Sequence, residues 1–455
     1  MNLSRKKYQF FIALIDIILI TAAVYLSLWI RGLSVPSYKW FYQHFLIFIP
    51  IIMSWIICLY TAGLYSMELP YTGFKAIAYI SIAAFFCTLL GFAFFYLNLN
   101  ARLLPKTILL IHSGIVTLLI ALWRWVYSRI ALKYYAKMEI AFVGINDTVI
   151  ELLDNMNKFS YMSYNVSFVY TDDDSFSKID DVPVINNSSL FIEEIKKNKI
   201  QIVVTADKEN LPSTTQEVLF ELLHRHVTFI NLADFYEIIM RKIPLDEVNE
   251  QWFLTKLHLQ SKKIYALFKR FLDILMALIL LIISLPFWPF IILIIRIESP
   301  GSAFFKQVRV GYLGQIFSVT KFRTMRIKDN EFKPTEYNDY RITKMGNILR
   351  KSRIDEIPQF LNVIKSEMSF IGPRPERPEL IRELEREIPF YRQRLLVKPG
   401  LSGWDQVSGE YHSPSKEDTY KKLQNDLYYI KNMSFFLDIS IFFKTLVTIV
   451  KRSGV

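Results

Sequence analysis

Four apolar runs, roughly Tyr8 to Ile30, Phe41 to Tyr60, Ala76 to Leu97 and Thr107 to Tyr127, dominate the first part of this chain. Each reaches the ~20 residues that an α-helix needs to cross a hydrocarbon core about 30 Å thick. Lipid offers no water to satisfy backbone N–H and C=O groups, so such runs fold as helices that pack on one another. A four-helix transmembrane bundle over residues 1–137 is the expectation. Arg5, Lys6 and Lys7 precede the first run, and Arg124, Arg129, Lys133 and Lys137 close or follow the fourth. Basic flanks mark the cytoplasmic side, so both ends of the bundle read as cytoplasmic, against a smaller basic content (Arg31, Lys39, Arg102, Lys106) in the outer loops. Asp16 lies inside the first run, where an ionisable group is costly; either it is functional or it pairs within the bundle near one end. No small-residue cleavage site closes a short apolar core, so the first helix is expected to stay in the mature protein.

Composition agrees with a chain that lives partly in lipid: 455 residues, 52% hydrophobic, with a mean hydropathy of +0.25. The net charge of +12 is carried by the polar segments and suits anionic headgroups or phosphate-bearing substrates. Nucleic acid is not an expected partner, because the cations interleave with glycines and acids rather than with aromatic stacking platforms. Cys58 and Cys87 both fall inside apolar runs, which excludes a disulfide framework and a cysteine metal cluster.

From Met138 short apolar runs alternate with amphipathic stretches. Ile140 to Gly144, Val166 to Tyr170, Ile200 to Thr205 and Val227 to Ile230 read as strands of a small doubly wound sheet, an α/β Rossmann-like domain over residues 138–245. Its first turn, Gly144-Ile145-Asn146-Asp147, lacks the GxGxxG pattern that lets a pyrophosphate approach a helix N-terminus. A structural or regulatory role is therefore preferred over nucleotide binding, and a nucleotide-sugar dehydratase or epimerase is disfavoured. Residues 246–268 read as a polar connector carrying Trp252 and Phe253.

A fifth apolar run, Phe271 to Ile295, contains Pro286 and Pro289 and is flanked by Lys269, Arg270 and Arg296. Each proline removes a helical hydrogen bond and frees a carbonyl, at Ile282 and Leu285, for which the Ser284 hydroxyl is the nearest candidate partner. Basic flanks on both sides fit a helix, within residues 269–297, that enters the bilayer and turns back. If the run crossed instead, the stretch Lys306 to Arg353, with twelve Lys or Arg against four Asp or Glu, would lie outside. A proline-kinked spanning helix is the alternative.

The chemistry concentrates further on. Ser352 to Asp355 has capping-box spacing, and Ile354, Ile357, Leu361 and Ile364 share one helical face. That leaves Asp355 and Glu356 in the first turn, beside a positive helix end that lowers a carboxylate pKa. Alone, such a pair is ordinary capping. Around it, however, stand Lys321-Phe322-Arg323-Thr324-Met325, Arg350 and Gly372-Pro373-Arg374-Pro375. A carboxylate attacks phosphorus only where the phosphoryl oxygens are neutralised, and a rigid arginine between prolines suits bidentate phosphate contact.

These motifs, together with Met368-Ser369-Phe370-Ile371 and Lys398-Pro399-Gly400-Leu401-Ser402-Gly403-Trp404, resemble the polyprenyl-phosphate glycosyl-1-phosphate transferases. In bacteria these initiate capsule, O-antigen or exopolysaccharide repeat units. The resemblance covers about Lys269 to Val455, and the preceding bundle and α/β domain are similar to its large-form members. It implies a mainly helical catalytic domain (269–455) with a re-entrant membrane helix broken at Ser284 and Pro286. It also implies transfer of sugar-1-phosphate from a UDP-sugar to undecaprenyl phosphate, with UMP released. Asp355 would be the nucleophile of a covalent aspartyl-phosphosugar intermediate, Glu356 would hold Mg²⁺, and Lys321, Arg323, Arg350 and Arg374 would bind phosphate. The implied location is the bacterial inner membrane, multi-pass, with the catalytic domain on the cytoplasmic face; association into a homo-oligomer stays open. Two departures stand against the family pattern: Leu285-Pro286 replaces the usual Ser-Pro at the break, and Gly409-Glu410 stands where some members carry Arg.

Trp404 either stacks on a base or anchors packing. Ser434 to Val450 reads as an interfacial helix or as one packed on the catalytic domain, and Pro378 to Lys398 as a solvated helix interrupted by Pro389. A transporter or polysaccharide-export component is the rival class, but it predicts broken helices in two repeats where the chain has one.

Overall fold

The structure is a computed structural model that describes residues 2–65, 74–97, 106–134, 138–158, 164–171, 178–179, 181–206, 220, 227–326, 339–408 and 415–450. Lys137, Arg102, Gly409-Glu410 and Lys451-Arg452 lie outside the described residues. The chain divides into two units, Met1–Met240 and Arg241–Val455.

In the first unit, helices α1 (Asn2–Gly32), α2 (Tyr38–Thr61), α3 (Phe74–Leu97) and α4 (Lys106–Tyr134) pack in a ring, each on two neighbours. All four, together with Lys263–Glu298 of the second unit, are long and apolar enough to cross a membrane. Their polarity is inverted relative to a protein in water. Phe85, Leu118, Leu122 and Trp125 face outward, while Asp16, His112 and Arg124 are fully buried. Arg124 donates to Asp16 Oδ2 at 2.6 Å, so the acid in the first helix pairs within the bundle.

The sheet that follows has strands β1 (Met138–Val143), β2 (Tyr164–Tyr170), β3 (Lys178–Ile179), β4 (Val182–Ile185), β5 (Ile202–Thr205) and β6 (Thr228–Asn231), in the order β3-β4-β2-β1-β5-β6. Only the β3–β4 pair is antiparallel. Alternation along β1 explains why both faces are covered. Ile140 and Phe142 pack with Leu152 and Phe235, from helices α5 (Asp147–Lys158) and α7 (Leu232–Met240). Ala141 and Val143 pack with Phe191 and Ile195, from α6 (Ser188–Lys197).

The second unit begins at Arg241, ahead of the expected connector. Residues 241–262 are packed rather than free: Ile243, Leu245 and Phe253 are buried. The broken helix comes next, as one arm Lys263–Ser284, a 3-10 turn Leu285–Phe287 and a second arm Trp288–Glu298. Ser284 Oγ donates to Leu281 O at 3.0 Å, not to either carbonyl freed by the prolines, and accepts from Trp288 Nε1 at 3.3 Å. The expected hydroxyl therefore braces the turn through the Leu281 carbonyl, one residue before the freed carbonyl of Ile282. Both arms are rooted in the same unit. On the first, Arg270 donates to Val363 O and Ile364 O, and Asp273 accepts from Phe370 N. On the second, Glu298 accepts from Met345 N, and Ile295 packs with Ala303, Phe322 and Leu349. Ile282, Phe287 and Phe290, around the turn, are exposed.

A hairpin, β7 (Phe304–Val310) and β8 (Ile316–Phe322), and a short parallel pair, β9 (Ser369–Ile371) and β10 (Gly400–Ser402), carry the segments that reach the acid pair. The stretch 378–398 is a helix, Pro378–Glu387, followed past Pro389 by a 3-10 helix, Tyr391–Leu396. The last helix, Phe435–Val450, buries Ile441, Phe443 and Val447 and leaves Phe435 and Phe436 exposed.

Candidate active site

Lys321 stands near the end of β8, and the 3-10 helix Ile354–Gln359 packs directly on that strand. Lys321 Nζ consequently reaches Glu356 Oε1 at 2.7 Å. Arg374 reaches the same oxygen at 3.1 Å, and Arg353 lies 3.8 Å from Oε2. Arg350 comes from the helix Lys344–Lys351, whose Gly346 sits where a Cβ would collide with the backbone of Thr324. That close approach lets Arg350 Nε donate to Thr324 Oγ1 at 2.8 Å. Gly372 and Gly400 allow a similar approach between β9 and β10, which sets the root of the Pro373-Arg374-Pro375 loop.

The expected capping box is not formed. Ser352 Oγ donates back to Ile348 O at 2.7 Å, and Arg353, in a left-handed conformation (φ 57°), starts the 3-10 helix. Of the apolar residues expected on one face, Ile354, Ile357 and Ile364 are half-buried while Leu361 is exposed. The turn nevertheless buries Asp355, whose Oδ1 has no hydrogen-bond partner.

Both acids are buried, and it is their different cation contacts that make them behave differently, against the expectation that a helix end would lower both. Removal from water pushes Asp355 up to about 6, with Glu356 adding to the rise and Lys321, Arg350 and Arg353 opposing it. Burial would raise Glu356 too, but Arg374, Lys321 and Arg353 outweigh it and hold that carboxylate well below its usual range. Lys321 is lowered by its own burial, with Glu356 opposing. Four cations around two acids leave a positive excess, which suits a ligand carrying several phosphate charges.

Arg323 stands apart from this group. Its buried guanidinium donates to Ser299 O and to Pro300 O, so it braces the end of the broken helix instead of facing Glu356. Trp404 is buried, with Nε1 bonded to Arg241 O at 3.1 Å and Lys444 over its ring at 4.1 Å, the surroundings of a packing anchor.

The sequence reading missed a second layer that holds the Arg374 loop. Arg394, 3% exposed in a stretch expected to be a solvated helix, donates to Arg374 O at 3.0 Å, to Asp426 at 2.7 Å and to the Tyr391 hydroxyl at 2.6 Å. Glu376 pairs with Lys422 and lies 3.6 Å from Arg309, which itself donates to Pro375 O. Burial would raise Glu376, but Lys422, Arg394 and Arg309 bring it down to about 2, while burial lifts Asp426 to about 6. A hydrophilic stretch with regularly spaced Arg and Glu gives no signal of such burial.

Among the described residues no group of three or more His, Cys, Asp or Glu could enclose a metal. Glu356 Oε2, which meets only a distant guanidinium, is the oxygen a cation could use. Mg²⁺, which keeps waters and takes few protein carboxylates beside substrate phosphates, fits such a site.

Residues 264–452 match the family described as bacterial sugar transferase. A UDP-N-acetylgalactosamine-undecaprenyl-phosphate N-acetylgalactosaminephosphotransferase of Aeromonas hydrophila is 37% identical over 56% of this chain and 59% of its own length. A UDP-glucose:undecaprenyl-phosphate glucose-1-phosphate transferase of Klebsiella pneumoniae is 30% identical over 68% of this chain and 67% of its own. An exopolysaccharide production protein of Rhizobium leguminosarum is 37% identical over 40% of this chain and 96% of its own length. The chain thus spans less than two thirds of the Aeromonas enzyme.

Proposed function

The chain belongs to the bacterial sugar transferase family, and from that premise we propose that it moves sugar-1-phosphate from a UDP-sugar to undecaprenyl phosphate. The observation that carries the reading is a buried carboxylate with one unpartnered oxygen, Asp355, set among Lys321, Arg350, Arg353 and Arg374.

In the proposed sequence the ionised Asp355 oxygen forms a bond to the sugar-linked phosphorus. The bond from that phosphorus to the bridging oxygen breaks, and UMP leaves with the electron pair. The phosphate of the polyprenyl acceptor then attacks the same phosphorus and expels Asp355, giving polyprenyl-diphosphate-sugar. Lys321, Arg350 and Arg374 neutralise the phosphoryl oxygens. Glu356, with Asp355 beside it, would hold Mg²⁺, which supplies further charge neutralisation at the diphosphate.

Re-entry of the broken helix is supported by its packing. A straight helix would set Ala277 and Ile295 about 27 Å apart. They pack in cores with Phe317 and Phe322, which lie about 17 Å apart along a single strand. With both arms rooted in one unit, the break dips into the bilayer and the catalytic residues stay on the basic, cytoplasmic face of a bacterial inner membrane. The sheet of the first unit is read as Rossmann-like, with a structural or regulatory role.

The test is an assay of membrane fractions with undecaprenyl phosphate and a panel of UDP-sugars that includes UDP-glucose and UDP-N-acetylgalactosamine. Turnover of one of them, abolished by Asp355→Asn, is expected; transfer that survives the substitution contradicts the reading.

A further inference from the structure

We propose that Arg241–Lys262, which precedes the family-matched residues 264–452, is a strap that positions Arg374 through the helix Lys416–Asn432. The inference rests on the proposed reaction only in giving Arg374 a substrate phosphate to hold.

The helix has two working sides. Lys422 pairs with Glu376, Asp426 holds Arg394, and the Tyr429 hydroxyl donates to Ile371 O at 3.2 Å. Lys422 and Tyr429 grip the segment from Ile371 to Glu376 that contains Arg374 directly, and Asp426 does so through Arg394, which donates to Arg374 O. On the other side the Tyr420 hydroxyl donates to Asp246 at 2.6 Å, Gln424 O accepts from Ile243 N at 3.1 Å, and Lys431 lies 4.8 Å from the Trp252 ring centre. At about 100° per residue, positions 420, 424 and 431 fall within about 40° of one another, and 422, 426 and 429 lie on the opposite side. One rigid element therefore has the strap on one flank and the arginine loop on the other.

Two further contacts tie the strap to elements around that loop. Phe253 packs on Phe390 at 4.7 Å between ring centres, and Phe390, in a left-handed conformation, launches the 3-10 helix that carries Arg394. The indole of Trp404, in the turn after β10, donates to Arg241 O. Lys262 Nζ closes the strap on Lys431 O at 2.6 Å. A tether would need none of this. Prolines on either side of Arg374 make the loop stiff, but stiffness fixes a guanidinium only as well as the loop's roots are fixed. Small displacements of such a group are costly, since ~1 Å of misplacement can cost on the order of 100-fold in rate.

The test uses the full chain in membranes, with Phe253→Ala compared against Leu254→Ala, a neighbour that is 84% exposed. Hydrogen exchange is read in peptides covering 369–377 and, as a reference, 344–351. Phe253→Ala should speed exchange in the first by on the order of 10-fold and leave the second unchanged, while Leu254→Ala changes neither. Phe253→Leu should restore most of the protection. Tyr420→Phe, which loses the hydroxyl that holds Asp246, should give the same pattern at smaller amplitude and serves if Phe253→Ala does not accumulate. Unchanged exchange at 369–377, or an equal rise in both peptides, overturns the proposal, and neither reading depends on any activity. In the transferase assay, Phe253→Ala should lower kcat/KM for the UDP-sugar by on the order of 10-fold, with KM raised as well as kcat lowered. Combined with Arg374→Ala it should add nothing further. Fully additive losses would mean that the strap does not act through Arg374. Absence of transfer in the unaltered chain would remove the proposed function and leave the exchange result to decide the strap.

Discussion

Acidification should switch the enzyme off at a pH set by Asp355. Its carboxyl is pushed up to about 6, chiefly by burial, against about 3.9 for an unperturbed aspartate. As the proposed nucleophile it must be ionised, so the competent fraction is nearly complete at about pH 8, one half at about pH 6 and roughly one tenth at about pH 5. The sign follows: activity present above the raised pKa is lost as pH falls through it, with roughly a tenfold loss between about pH 8 and about pH 5. The assay has to avoid the acceptor, because a phosphate monoester has its own ionisation near 6. Single-turnover release of UMP from UDP-sugar without polyprenyl phosphate meets that need, since the two phosphates of a UDP-sugar do not titrate there. A limb near 4, or no limb down to about pH 5, would refute the argument that a buried Asp355 is the titrating nucleophile.

Three other outcomes are expected. EDTA should abolish turnover and Mg²⁺ restore it, with Glu356→Gln needing more metal for the same rate; full activity in chelator would remove Glu356 from its proposed role. Cysteines placed at Leu254 and Lys306, in a chain lacking Cys58 and Cys87, should both react with an impermeant maleimide from the cytoplasmic side, and labelling from opposite sides would mean a spanning helix. Asp16→Asn should destabilise the detergent-solubilised bundle by about 3 kcal/mol or more, because it leaves the buried Arg124 without its counter-charge. An unchanged thermal midpoint would show that the Asp16–Arg124 pair does not hold the helices together.

The bundle was legible because a bilayer demands about 20 apolar residues per helix, a requirement that local composition meets or fails. The α/β rhythm was legible for a similar reason, since strands covered on both faces read as short apolar runs. At the site, Asp355, Glu356, Lys321, Arg350 and Arg374 could be named from motifs, but their electrostatics could not. The pKa of Asp355 depends on burial by chain segments distant in sequence, and a first-turn argument gave the wrong direction. Ser352 had cap spacing, but the left-handed Arg353 turns the chain before a cap can form. Arg323 sits two residues from Lys321 in the same motif yet serves backbone carbonyls near Ser299. Arg394 comes from a stretch read as solvated helix and Asp426 from a helix far along the chain, and only the fold brings them under the Arg374 loop. The same holds for 241–262, where polar composition concealed four buried apolar anchors, Ile243, Leu245, Val248 and Phe253.

The central claim is that Asp355 takes the phosphosugar onto itself before any lipid arrives, which makes the first half-reaction complete and reversible without acceptor. Incubating membranes that carry the protein with UDP-sugar and labelled UMP, in the absence of polyprenyl phosphate, measures that step directly. Label should appear in UDP-sugar, and Asp355→Asn should abolish the exchange. No exchange from a preparation that performs net transfer, or substantial exchange by Asp355→Asn, would contradict the covalent account.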